Sequence, residues 1–300
     1  SILTCLVKDI APTAQVMQSQ PITISRSSAM ILKGKTALIT GSTSGIGAAC
    51  AQALAAEGCA IMINGFGDAS AIEAQRQQLE ALSGAKALWS GADMTKPEDI
   101  AAMVQHCHDA LGGPDILINN ASAINLTPTE KTAAKRFDLM FDVNVRGTFL
   151  TSQAVIPHLR ESAKAGRNPH ILTLSPPLSM SPKWFKNHVA YTMAKYGMSM
   201  CVLGMAEEFK RDGIAVNALW PRTAIDTAAL QMIPGVDTDF CRKPEILSDT
   251  AYIILNRDSK TTTGNFFVDD EVLASEGITD LEKYSVKPGT TDFLLDFFLD

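Results

Sequence analysis

Between residues 36 and 268, short apolar runs alternate with longer segments whose apolar residues recur at helical spacing. Runs at 36–40, 59–64, 87–91, 115–118, 170–175, 214–220 and 265–268 read as strands, most of them without the polar alternation of a half-exposed sheet. Helices are expected over 48–57, 69–82, 96–111 and 131–164, and again around Tyr191. In the third of these, Ile100, Met103, Val104, Cys107 and Leu111 share one face, and Gly112-Gly113-Pro114 stops the helix. Short connections between unlike elements leave a parallel sheet, covered by helices on both faces, as the simplest arrangement.

The first connection carries Gly41-Ser42-Thr43-Ser44-Gly45-Ile46-Gly47 between a strand and a helix. Glycines there let the backbone turn tightly and approach a pyrophosphate, while the helix amino end offers N–H groups and a positive dipole. A glycine-rich turn with no ligand is the competing reading, and the position of the motif weighs against it. The expected fold is therefore α/β: a single-domain, Rossmann-like, doubly wound parallel sheet of about seven strands with helices on both faces.

Tyr191 and Lys195 stand four residues apart and fall on one helix face. A tyrosine titrating at about 10 is a slow proton carrier at neutral pH, and a fixed cation nearby favours its phenolate. An isolated pair of this kind is usually surface decoration; downstream of a nucleotide-type loop it becomes an acid/base candidate.

A net charge of -6 and pI near 5.4, with no dense Lys/Arg run, argue against nucleic acid or an anionic membrane as partners. Cys5, Cys50, Cys59, Cys107, Cys201 and Cys241 lie far apart without metal-ligand spacing, so they read as reduced thiols in a cytoplasmic setting. His106 and His108 diverge on their helix, and no metal site is expected. The apolar stretch 189–206 contains Lys195, Gly197 and Gly204, which reads as a helix buried in protein rather than in lipid.

Thr40-Gly41-x-x-x-Gly45-x-Gly47, Asn119-Asn120-Ala121, Asn144 and Tyr191-x-x-x-Lys195 follow one another in the order and approximate spacing of the short-chain dehydrogenases/reductases, which the chain resembles over about 32–270. Residues 120–124, Ser175-Pro176-Pro177, residues 183–186 and residues 218–221 resemble the hydroxysteroid dehydrogenase-like protein 2 group. Residues 41–47 and 64–68 are worded more like 3-hydroxybutyrate dehydrogenases. The resemblance implies an NAD(P)-dependent oxidoreductase that interconverts an alcohol and a ketone or aldehyde. Tyr191 would be the general acid/base, Lys195 its tuner and a ribose ligand, and Asn144 the holder of a water. The implied cofactor cleft comprises Gly41, Ser42, Ser44, Gly45, Ile46, Gly47, Phe66, Asp93, Met94, Asn120, Ala121, Ser122, Tyr191, Lys195 and Pro221. A homodimer or homotetramer, acting on a small-molecule carbonyl or alcohol, is implied as well.

Several positions depart from the family pattern. Its substrate-orienting serine falls at Leu178 by strict counting and at Pro176 by strand-end alignment. Ser175 is preferred over Ser179 and Ser181 because it ends the strand, with a simple strand-end hydroxyl as the competing reading. The usual Pro-Gly is Pro221-Arg222, Thr227 comes one residue late, and a late Gly-Gly is Asp269-Asp270. Arg222 reads either as a solvated arginine or as an anchor for an acidic substrate. Neither Ser44 nor residues 64–67 offer a cation for a 2′-phosphate, so NAD is expected, with NADP not excluded. The displaced serine keeps an alternative open: a dinucleotide-binding sensor or scaffold with impaired catalysis. Residues 1–29 are expected to be a disordered extension, organelle targeting being the lesser alternative, with Met30 as a natural beginning. Residues 271–300 are expected to pack on the domain or on a neighbouring subunit.

Overall fold

The computed structural model describes residues 32–233 and 235–299; the extension at 1–29 and Met30 lie outside them. Seven parallel strands form one sheet in the order β3-β2-β1-β4-β5-β6-β7. They are β1 (Thr36–Ile39), β2 (Ala60–Asn64), β3 (Ala87–Ser90), β4 (Ile116–Asn119), β5 (His170–Leu174), β6 (Ala215–Trp220) and β7 (Phe266–Val268). The strand order reverses between β1 and β4, where a crevice opens at the carboxyl ends of the strands.

Side-chain alternation divides the core into two layers. Ala37 and Ile39 of β1, Ile61 and Ile63 of β2, and Ile116 and Ile118 of β4 point to one face. There they meet α1 (Gly45–Ala56), α2 (Ala69–Ser83) and α8 (Glu245–Asn256) through Leu54, Leu79 and Ile254. Leu38, Met62 and Leu117 point the other way, towards α3 (Pro97–Leu111), α5 (Thr148–Lys164) and α6 (Val189–Glu208). In the central strands β1, β4, β5 and β6 every position is buried, which is why those runs in the sequence are continuous, while Trp89 of the edge strand β3 is exposed.

Below the sheet, Asp115 ties β4 to its surroundings. Its carboxylate accepts from Arg167 Nε at 2.7 Å and Nη2 at 2.6 Å, from Ser162 Oγ at 2.6 Å and from the Thr36 N–H at 2.9 Å.

The expected helix over 131–164 forms from Ala134 to Lys164, but not as one regular α-helix: α4 (Ala134–Met140) passes through a π-helical stretch, Phe141–Gly147, into α5. The wider turn carries an extra residue, which apolar spacing does not register, and turns of this kind are frequent at functional sites. Gly147 packs tightly in it: a Cβ there would stand 3.0 Å from the Met94 carbonyl oxygen. Two short helices, α7 (Ala228–Gln231) and α9 (Asp269–Ser275), complete the main elements of the described residues. No helix among the described residues is long and apolar enough to cross a membrane.

Candidate active site

The glycine loop is shaped by close backbone approach. Gly41 has φ of 62°, and a Cβ on it would lie 2.8 Å from Ala121 Cα. A Cβ on Gly47 would lie 2.6 Å from both Asn120 Nδ2 and the Gly41 oxygen. No side chain caps α1 and no acidic residue stands in its first turn, so its amino end is open to an anion. Asn64 braces the loop by accepting from the Gly41 N–H at 3.2 Å while donating to the Ser90 and Ala92 carbonyls. Asn120 donates to the Thr40 and Gly41 carbonyls at 3.0 and 2.7 Å.

A cavity of about 330 Å³ opens at this end of the sheet. Of the expected cofactor residues, Gly41, Ser44, Gly45, Ile46, Asn120, Ala121, Ser122, Tyr191, Lys195 and Pro221 line it. Ser42, Gly47, Phe66, Asp93 and Met94 do not. Ser42 is fully buried and builds the loop, its Oγ donating to the Ile39 carbonyl and accepting from the Asn64 N–H. Gly47 packs behind Gly41, and Met94 is buried against Gly147. Asp93 accepts from both the N–H and the hydroxyl of Thr95 at the end of β3, while Phe66 stands exposed after β2.

Helix α6 latches the end of β5 while presenting Tyr191. Lys195 Nζ donates to the Leu174 carbonyl at 2.8 Å and lies 4.9 Å from the centroid of the Trp220 ring. Ser199 Oγ donates to the Pro176 carbonyl at 2.6 Å, and the Thr192 hydroxyl donates to the Trp184 carbonyl. Burial pulls the Lys195 amine down to about 7. The Tyr191 phenol is pushed above its ordinary range, first by burial and then by the charge of Asp296. Desolvation therefore outweighs the tuning expected from the Tyr/Lys spacing, and the ammonium is directed to a carbonyl.

Two other expected catalytic residues lie off the cavity. Ser175 is wholly buried and its hydroxyl has no partner among the described residues. Strand alternation explains this, because Leu174 lines the cavity and the next side chain faces away. Asn144, in the π-helical turn, is also fully buried. Its Nδ2 donates to the Ala123 carbonyl at 3.0 Å, and its Oδ1 accepts the Ala123 N–H at 2.6 Å. The amide is thus spent on the loop after β4. Ser179 and Ser181 do not line the cavity either. Arg222 fits neither the solvated nor the substrate-anchoring reading: it pairs with Asp270 at 2.9 Å and Glu271 at 2.5 Å.

The remaining cavity wall comes from segments that local reading had not joined to the site. Leu174, Trp220, Ile225, Leu230 and Ile233 make it apolar, and Asp296 and Phe297 enter from the chain's tail. Phe298 is buried among Trp184, Tyr191, Tyr196 and Trp220, with ring centroids 5.3–6.3 Å away. The signal in the sequence was the apolar run 293–299, which marks a buried tail but not its address. Among the described residues no group of His, Cys, Asp or Glu is placed to hold a metal ion, and the described cysteines are unpaired.

Residues 35–234 match the family model described as short chain dehydrogenase. The chain is 50% identical over 280 residues to "Hydroxysteroid dehydrogenase-like protein 2" of Xenopus laevis; the match covers 90% of this chain and 64% of that protein, so the chain spans less than two thirds of its relative. A short chain dehydrogenase structure from Mycobacterium thermoresistibile is 42% identical with a TM-score of 0.81, covering 90% of this chain and 96% of that one. A short chain dehydrogenase from Burkholderia cenocepacia in complex with NADP is 27% identical with a TM-score of 0.70, over 79% and 96% of the two chains. A 3-ketoacyl-(acyl-carrier-protein) reductase from Brucella melitensis complexed with NADH is 28% identical with a TM-score of 0.68, over 79% and 97%.

Proposed function

Since this chain belongs to the short-chain dehydrogenase family, we propose that it interconverts an alcohol and a ketone or aldehyde, with Tyr191 exchanging the proton on the substrate oxygen. The observation that carries the reading is that Tyr191 and Lys195 line the same cavity as Gly41, Gly45 and Asn120. A nicotinamide dinucleotide supplies or accepts the hydride when bound. The open amino end of α1 and the glycine loop suit its pyrophosphate, and Phe66 and Asp93, which follow β2 and β3, would face its adenine.

The chain's own residues orient, exclude water and hold the proton. Burial keeps the Tyr191 phenol protonated, which suits it to donate during carbonyl reduction; Lys195, fixed by Leu174, supplies nearby positive charge below about pH 7. The apolar wall favours an apolar carbonyl or alcohol, and Arg222 is already paired, so it gives an acidic substrate no anchor. NAD is the preferred cofactor, because Ser44 and the Gly65–Phe66–Gly67 turn bring no cation to a 2′-phosphate.

Tyr191→Phe is the test. Reduction should fall by about 10²–10⁴-fold while dinucleotide affinity holds. Retained turnover would remove Tyr191 from the role. The buried Ser175 hydroxyl favours a second reading, a dinucleotide sensor or scaffold. That reading wins if dinucleotide binds tightly and no carbonyl or alcohol is turned over at any pH.

A further inference from the structure

A carbonyl oxygen under reduction gains negative charge, and a second fixed donor beside the proton donor stabilises it. The site lacks the expected one: Ser175 faces the core and the Asn144 amide is committed to Ala123. We propose that Asp296, delivered by the C-terminal tail, is this second group and grips the substrate oxygen that Tyr191 protonates. The inference rests on the reading of Tyr191 given above.

Among the described residues Asp296 is the sole carboxylate lining the cavity, which it shares with Tyr191, Lys195 and Trp220. Its backbone is fixed on both sides. The Asp296 N–H donates to the Arg222 carbonyl at 3.1 Å, and Trp220 Nε1 donates to the Phe297 carbonyl at 2.8 Å. Phe298, packed against the Tyr191 ring, anchors the tail beyond it. Oδ1 accepts the Phe297 N–H at 2.6 Å, while Oδ2 makes no hydrogen bond among the described residues. One oxygen is used to hold the carboxyl still, and the other is left for a ligand.

Protonation decides what that oxygen can do. Burial raises the carboxyl to about 7; the Phe297 N–H and Lys195 act against the rise, and Asp269, at the start of α9, adds to it. Tyr191 is neutral, and Arg222 is neutralised by Asp270 and Glu271. Below that pH the neutral carboxyl donates an O–H; above it the carboxylate repels the charge developing on the oxygen. A serine hydroxyl would donate at every pH, so the device leaves a signature: reduction slows as pH rises through about 7, in part through Asp296 and in part through Lys195, whose amine loses its charge in the same range.

The test uses 9,10-phenanthrenequinone as a neutral carbonyl probe with NADH or NADPH, comparing Asp296→Ala, Asp296→Asn and Tyr191→Phe. Asn keeps a donor of similar shape that does not titrate. Asp296→Ala should lower kcat by about 100-fold with a smaller change in KM, and with dinucleotide affinity and melting temperature preserved. Asp296→Asn should keep most of the rate and lose the Asp296 share of the fall near pH 7, leaving the shallower fall that Lys195 causes. The proposal is overturned by near-normal kcat in Asp296→Ala, by an unchanged pH profile in Asp296→Asn, or by turnover lost in Ser175→Ala but kept in Asp296→Ala. If the quinone is bound but not reduced, its affinity for the dinucleotide-loaded protein decides: weakening in Ala but not in Asn supports the proposal, and equal binding refutes it. Turnover retained in Tyr191→Phe fails the tyrosine and this proposal together. Turnover lost there but kept in Asp296→Ala fails the tail alone.

Discussion

Arg222 Nε lies 2.9 Å from Asp270 Oδ2, joining the turn after β6 to the first residues of α9. These are two places where the chain departs from the glycine-bearing family pattern, and the departures are complementary in charge. Asp269 completes the junction by accepting the Arg222 N–H at 2.9 Å. Both ion-pair partners are partly shielded, at 27% and 30% exposure of the side chain, so the pair should exceed an ordinary surface bridge. Arg222→Ala and Asp270→Ala should each cost about 1–2 kcal/mol in urea unfolding, and their double-mutant cycle should couple by about 1 kcal/mol. Preference between neutral and anionic substrates should not change. An uncoupled cycle would show that the contact is incidental.

Asn144 is the keystone of the loop that carries Asn120, Ala121 and Ser122 to the cavity. Replacing it by Ala strands the Ala123 N–H and carbonyl in a place with no solvent access to Asn144. The expected loss is about 2–3 kcal/mol of stability. Dinucleotide affinity should weaken with it, since the loop forms one side of the cleft. Calorimetry on the same sample reads both. A full loss of stability with unchanged dinucleotide affinity would separate this turn from the site.

What could be read from residues alone followed the range of the interaction involved. The central strands stood out because both their faces are buried, and the glycine loop because close approach to Ala121 and Asn120 tolerates no Cβ. Tyr191 and Lys195 were visible through helical spacing. The π-helical turn was not, since one extra residue in a turn leaves the apolar pattern intact. Nor was the Asp115–Arg167 pair: only the folded chain brings these two residues together. Ser175 follows the last residue of β5, as its place in the sequence suggested, but the burial of its hydroxyl away from the cavity is set by the pleat, which sequence position does not show. Asp296 was invisible because its cavity is formed by segments distant in sequence.

His170 gives the stability a pH dependence of known sign. It is buried at the start of β5, beside the Arg257 carbonyl and Asn168, and burial lowers its pKa to about 4. The unfolded chain, with an ordinary histidine near 6.5, binds a proton that the folded chain refuses between these values. The His170 share of stability is therefore complete above about 6.5 and falls as pH drops towards 4, by about 3 kcal/mol over the interval, while Asp296 and Asp269, whose carboxyls are raised on folding, contribute with the opposite sign. His170→Gln should remove that share, read as the pH-dependent difference from wild type in chemical denaturation at fixed ionic strength. An unchanged slope would assign the acid sensitivity to other groups.

The outer faces of α4, α5 and α6 point to self-association. Met193, Met200 and Leu203 fall on one stripe of α6 at 44%, 58% and 54% exposure, and Phe149 on α5 and Phe137 on α4 are also exposed. A long helix whose exposed side is this apolar is unusual for a chain that works alone. Beside the stripe, Gly204 has open space over its Cα, so a second helix could approach closely. The protein should run as a homodimer or homotetramer of the 32.2 kDa chain in light scattering. Met200→Glu with Leu203→Glu puts two charges on the stripe without touching the core, so the helix should stay folded while the mass falls to that of one chain. A monomeric wild type at working concentration would rule the interface out; a mutant that keeps its assembly would place the interface on another face.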